Sequence, residues 1–433
     1  MFDGGATSRR EFMKAAVAVG GAAALSACAG RVDEPIPRGT ADPESLPTRQ
    51  HAWNDLLPRD DAGNVVLPRH QVLLYLVLPG DAPPTDADRR AVEAALRTLD
   101  EAYERSNRGL IHSIAYSPRY FSRFDDPLPA EVDLPEPRAL SSFETPEFDR
   151  QDALLHLASD RADALLEAEQ ALRGEADEAN GVAVDAVLTD VFSVDARRTG
   201  FIGAGMPAER QDGLEGIPDS NPVPKESPLF MGFKAGFAQN QASEGYVTID
   251  GGPFAGATTK HVSNVRQRLQ DWYVEQDYEE RVAEMFSPAH AARNLVEGVG
   301  ENLGDDSGLT PEMIEDVREH ATTFGRVGHA QKAARANRDA EGNVRILRRH
   351  FESTDDGVAS LHFPSLQRRI TDFEEVRTAM NGEDLTDIPT IRQRVNNGIL
   401  EYIFVQRRGN FLVPPRALRS LPTPTGEVPG LSE

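Results

Sequence analysis

The residues that invite a chemical reading lie toward the C-terminal end. Arg348, Arg349 and His350 stand in the run Arg345-Ile346-Leu347-Arg348-Arg349-His350-Phe351, and His329 closes the earlier run Gly325-Arg326-Val327-Gly328-His329. In an extended strand successive side chains point to opposite faces, so Arg348 and His350 share a face and Arg349 takes the other. An arginine on such a face can stabilise negative charge on a departing oxygen. A second can meet a carboxylate in a two-pronged geometry. The same stretch also suits a basic edge strand guarded against aggregation. A neutral imidazole such as His329 can ligate haem iron when its other nitrogen is hydrogen-bonded, whereas a lone histidine there otherwise reads as a surface or helix-end residue. No G-x-S-x-G elbow, P-loop, dinucleotide glycine fingerprint or Cys/His zinc spacing competes with these candidates.

Elements that could position these residues become legible from residue 69 onward. Apolar runs predict strands at 70–78, 110–116, 153–158 and 182–194, with helices of 3.6-residue period at 86–105 and 160–172. The order β-α-β, β-α-β is the ferredoxin-like arrangement, an antiparallel sheet with both helices on one face. The second half repeats it around an insertion: a strand at 257–265, a long helix through Trp272 to about 286, strands at 344–351 and 358–363, a helix at 372–380 and a strand at 400–406. Thr310-Pro311-Glu312 opens a further helix inside that insertion. The fold class is α+β, two tandem ferredoxin-like domains at 69–220 and 221–415 followed by a tail at 416–433. Trp272 and Tyr273, large residues within a helix, read as core.

The N-terminal residues read as targeting sequence. Ser8-Arg9-Arg10-Glu11-Phe12, a mild Ala/Gly/Val stretch and Leu25-Ser26-Ala27-Cys28 resemble a twin-arginine export signal ending in a lipobox. The expectation is an exported protein, lipid-anchored through Cys28 at the outer face of the cell membrane. Cys28 is the only cysteine, so no internal disulfide can form. Residues 29–68, rich in Pro, Asp and Arg with little periodicity, read as a disordered tether. Net charge is −24, and the lysines are Lys14, Lys225, Lys234, Lys260 and Lys332 alone. That balance argues against nucleic acid and against an anionic membrane surface as partners. It suits a halophilic protein that stays hydrated in high salt.

Four segments in order carry a family resemblance. Ala153-Leu154-Leu155-His156-Leu157-Ala158-Ser159-Asp160 (with Asp152 ahead of it), the stretch LIHSIAYSPRYF at 110–121, Met231-Gly232-Phe233-Lys234-Ala235-Gly236-Phe237, and the stretch from His329 to His350 together resemble the dye-decolourising peroxidases. The resemblance covers about 70–406 and implies the dimeric α+β barrel type of architecture, with haem b held mainly by the second domain. It assigns His329 as the proximal iron ligand and Arg348 as the distal arginine. Arg349 becomes a propionate partner or pocket residue, and Gly232, Phe233 and Gly236 belong to the distal loop against the haem. It implies hydrogen peroxide and an organic electron donor as partners, with a homo-oligomer among the expectations. The sequence departs from the family at Ala235, where the signature holds aspartate. Either His350 takes over the proton work and the chain is a peroxidase, or it is a weakened or non-enzymatic haem-binding, electron-transferring lipoprotein. Asp384 and Asp387 are candidate hydrogen-bond partners for His329.

Overall fold

The computed structural model describes residues 34–431. Arg9, Arg10 and Cys28, with the rest of the export signal, lie outside the described residues. The first half opens with strand β1 (His70–Val77), apolar on both faces, and helix α1 (Asp86–Ala102). The helix starts where Thr85 accepts the Asp88 N–H while the Asp88 carboxylate returns to the Thr85 N–H, a reciprocal cap. Its buried stripe of Val92, Leu96 and Leu99 packs with Val72 and Leu74 from the sheet. Strands β2 (Ile111–Tyr116) and β3 (Ala153–Ser159), helix α2 (Ala162–Arg173) and strand β4 (Ser193–Phe201) complete this half.

The second half runs β5 (Thr258–Gln267), α3 (Leu269–Val274), α4 (Tyr278–Met285), α5 (Val317–Phe324), α6 (His329–Ala336), β6 (Leu347–Arg348), β7 (Phe351–Ser353), β8 (Ser360–Gln367), α7 (Ile370–Met380) and β9 (Ile403–Val413). The single long helix expected through Trp272 is two helices. Asp277 and Glu280 form a capping box that starts the second one. The segment beginning at Pro311 is helical as expected.

The strands form one sheet-dominated, barrel-like core. Their order is β4-β1-β3-β2-β9-β5-β8-β7, and β7 pairs back with β4. Counting β6 and β7 as one broken strand, in each half the strand fourth in sequence lies beside the first, followed by the third and the second. The halves meet at two thin seams: Leu412↔Tyr116 alone joins β9 to β2, and Glu352↔Phe201 alone joins β7 to β4. The barrel interior is lined by Leu73, Tyr75, Leu154, Val262, Phe351 and Phe411. No helix among the described residues is long and apolar enough to cross a membrane.

Three readings are corrected. The fourth strand lies at 193–201, because the apolar alternation at 182–194 is spent on a two-residue hairpin and a connecting loop. The observed strand looked too polar to recognise: Arg197 pairs with Glu169 and Arg198 with Asp149. The stretch expected as a tether is packed from Gln50 to Leu67. Trp53 and Leu57 are buried against Ile111 and Ala158, and Gln50 is inserted at the β2–β9 seam. Its side-chain oxygen accepts the Ile114 N–H, and its amide donates to Ile114 O and Pro414 O. A few large residues placed against a sheet end suffice here, although the segment has no period to read. The tail is likewise docked through residue 421: buried Arg419 pairs with Glu93 and Asp100, and Leu421 is in the core.

Candidate functional site

A cavity of about 260 Å³ lies between the second-half sheet and the helical insertion. Its walls are mainly apolar, among them Phe233, Phe237, Phe286, Leu361, Phe363 and Ile399. Three elements bring the polar groups to it.

Helix α6 presents His329. It begins at that residue, with Gly328 as its N-cap. A side chain at Gly328 would put its first carbon 1.8 Å from Phe286 O, so only glycine lets α6 start this close to the C-terminal end of α4. The helix is clamped one turn on by Lys332, whose buried ammonium donates to Met380 O, Asn397 O and Asn397 Oδ1. The His329 ring faces the cavity and makes no hydrogen bond to any described residue. Burial, then the nearby Lys332 and Arg348 charges, push its pKa down from 6.5 to about 3, so the imidazole is neutral. Asp384 and Asp387 do not reach it. They pair on the outer surface with Arg335 and Arg318.

The broken strand from Ile346 to Glu352 forms the opposite wall. Ile346, Arg348, His350 and Glu352 line the cavity, while Leu347 and Phe351 join the barrel interior. Arg348 donates from its backbone N–H and its Nε to Gln241 Oε1, and from a terminal nitrogen to Asn240 O. No carboxylate opposes it. Burial alone moves its pKa, down to about 10, and the group stays charged. His350 stacks on Phe363 at 6.0 Å and 14°, and its buried Nδ1 has no partner. Burial first and Arg348 second hold it neutral, with its pKa down to about 3.

The third wall is the loop that carries Phe233, Ala235, Gly236 and Phe237. Trp272 Nε1 donates to Met231 O, and the Tyr273 hydroxyl donates to Phe230 O. These two are core residues that fix the loop's course. Gly236, at φ +81°, sits in the left-handed region where glycine is favoured, and it lines the cavity. Gly232 is in the same loop but not on the cavity wall. It lies under the Tyr273 hydroxyl.

Arg349 is not part of the cavity. It turns into the barrel, pairs with Glu244, donates to His51 O and lies 4.2 Å from the centre of the Trp53 ring. Its expected role toward a cofactor carboxylate is therefore not supported by its position. Sequence reasoning missed Glu352, although the alternation that joins Arg348 to His350 reaches it at the next step. It also missed Arg377 and Arg408, which close the far wall and pair with Glu144. Nothing local in the sequence marks those two.

Among solved structures, the encapsulated DyP-type peroxidase from Mycobacterium smegmatis superposes with a TM-score of 0.53 at 16% identity, covering 86% of this chain and 99% of that one. A dye-decolorizing peroxidase from Bacteroides thetaiotaomicron VPI-5482 superposes with a TM-score of 0.50 at 16% identity, covering 87% and 99%. At these identities the likeness is one of fold. No curated protein matches the chain. A family model described as "Family of unknown function (DUF7405)" matches residues 68–415, and the chain belongs to that family.

Proposed function

We propose that the chain is a haem-dependent peroxidase of the dye-decolourising type, reducing hydrogen peroxide and oxidising an organic electron donor. The observation that carries this reading is one apolar cavity with an unpartnered neutral imidazole on one wall and an acid-free guanidinium on another. A buried cation without a counter-charge is costly unless a ligand supplies one, and a free imidazole lone pair in a dry cavity is suited to iron. The residues thus fit haem b. His329 would hold the iron, and the side chains of Phe233 and the backbone at Gly236 would pack against the ring. The Arg338 guanidinium lies at the cavity edge and, among the described residues, donates only to Gly342 O, so it can meet a carboxylate side arm. Bound haem supplies the redox centre at which peroxide is reduced.

The chain's own part is electrostatic and protonic. Arg348 keeps its charge and offers N–H donors where negative charge develops on a peroxide oxygen. His350 stands neutral beside it with a free Nδ1 and can accept a proton there. The apolar walls exclude bulk water, which strengthens both effects. The two halves form a tandem pair of ferredoxin-like units, with the repeated strand order in support. Export by the twin-arginine route and a lipid on Cys28 belong to the same proposal, supported by the N-terminal sequence pattern.

The test is the absorption spectrum of the haem-loaded protein before and after hydrogen peroxide. An intense Soret band that His329→Ala abolishes, and that peroxide changes within a single mixing experiment, is the expected result. Absence of haem uptake, or a band indifferent to His329→Ala, would sink the reading.

A further inference from the structure

We propose that Glu352 is the proton donor of this cavity, filling the place left by the absent carboxyl at Ala235. The inference deepens the peroxidase reading and rests on it. Glu352 is the third polar side chain on the strand face that carries Arg348 and His350, and it lines the same cavity as Ala235. It is 1% exposed and has no cationic partner. Its carboxyl oxygens accept the Phe230 N–H at 2.9 Å and the Gln267 side-chain amide at 2.6 Å.

The titratable groups around it are Tyr273, which bonds the same loop at Phe230 O, and Arg348 and His350 on its own strand. Gln267 from β5, Leu361 from β8 and Phe201 from β4 wall it in without charge. With no cation to hold the anion, burial pushes the carboxyl up to about 8. At neutral pH it keeps its proton. Donation breaks the carboxyl O–H bond and forms an O–H bond on the leaving oxygen of the cavity ligand. The carboxylate left behind is held by the two N–H donors already in place, and no electron moves through Glu352. A donor set that stabilises the anion without preventing protonation is what a reversible acid requires.

Infrared spectra of the haem-free full-length chain test the acid itself. E284Q removes the other raised carboxyl among the described residues (up to about 7), so the carbonyl band of a protonated carboxyl should persist in E284Q and be lost in the double variant E284Q/E352Q. In the wild type it should fade as pH rises through about 8. The haem-loaded protein tests its use. The rate of the peroxide-induced spectral change should drop roughly 100-fold in E352Q, and the alkaline decline of the wild-type rate should follow the infrared titration. A band that survives in E284Q/E352Q, or a rate and pH profile unchanged by E352Q, overturns the proposal. A wild type that shows the band but takes up no haem overturns the peroxidase reading and this donor role with it, leaving the protonated carboxyl standing.

Discussion

Arg348 and Arg349 are one peptide bond apart and have opposite surroundings. Arg349, inside the barrel, has a carboxylate in Glu244, a carbonyl in His51 and the face of Trp53 beneath it. Arg348, in the cavity, has two neutral oxygens and no acid. Arg349 is buried and Arg348 half-buried in the cavity, yet the fold neutralises only Arg349. The barrel interior treats charge as structure, with Arg349–Glu244 and Arg198–Asp149 closed on themselves. The cavity answers Arg377 and Arg408 with Glu144 but leaves Arg348, His329 and His350 unanswered, which is the signature of a place meant for something else.

Acid should give the largest effect and bear on both regions at once. His51 in the barrel and His329 and His350 in the cavity are each depressed from 6.5 to about 3 by burial. Between those values the unfolded chain binds protons that the folded chain refuses, so stability is full above about 6.5 and falls as pH falls toward 3. Urea midpoints across that range should fall steeply, and His51→Gln and His350→Gln should each flatten the slope. A slope that neither changes would mean the two regions do not share the load.

Next in size, Arg349→Ala should destabilise by about 3–5 kcal/mol, because Glu244 is left buried and unpaired. Arg348→Leu should leave stability within about 1 kcal/mol, since no ion pair is broken. It should slow the peroxide reaction by roughly 100-fold. Thermal melts and stopped-flow spectra of the two variants separate these outcomes, and equal stability losses would erase the contrast between the arginines. Smallest, Gln50→Ala should cost about 1–3 kcal/mol by leaving the Ile114 N–H and the Ile114 and Pro414 carbonyls without partners at a buried seam. Faster hydrogen exchange confined to β2 and the end of β9 would be its mark.

The alternating and helical periods were enough to place β1, β2, β3 and α1, where one apolar set faces one core. They failed at β4, whose arginines are satisfied by Glu169 and Asp149 from elsewhere in the chain, a fact no local window contains. They failed again at Gln50 and Trp53, whose value lies in fitting a gap between strands distant in sequence. In the site, strand alternation separated Arg348 from Arg349 and could have reached Glu352. The isolation of His329 could not be read, because the downstream acids that could have served it, Asp384 and Asp387, turn out to serve surface arginines.

The insertion of Gln50 also sets a timetable. One of its partners is 64 residues away and another 364. A chain emerging from its N-terminus can assemble β1 to β4 early, but the outer edge of β2 has no strand to pair with until β9 has been made. Through that interval Gln50, bonded to both the N–H and the carbonyl of Ile114, would occupy backbone groups that an open edge would offer to another chain. A side chain that serves as a seam in the finished barrel would thus act beforehand as a guard against mispairing during synthesis, when such edges are most exposed.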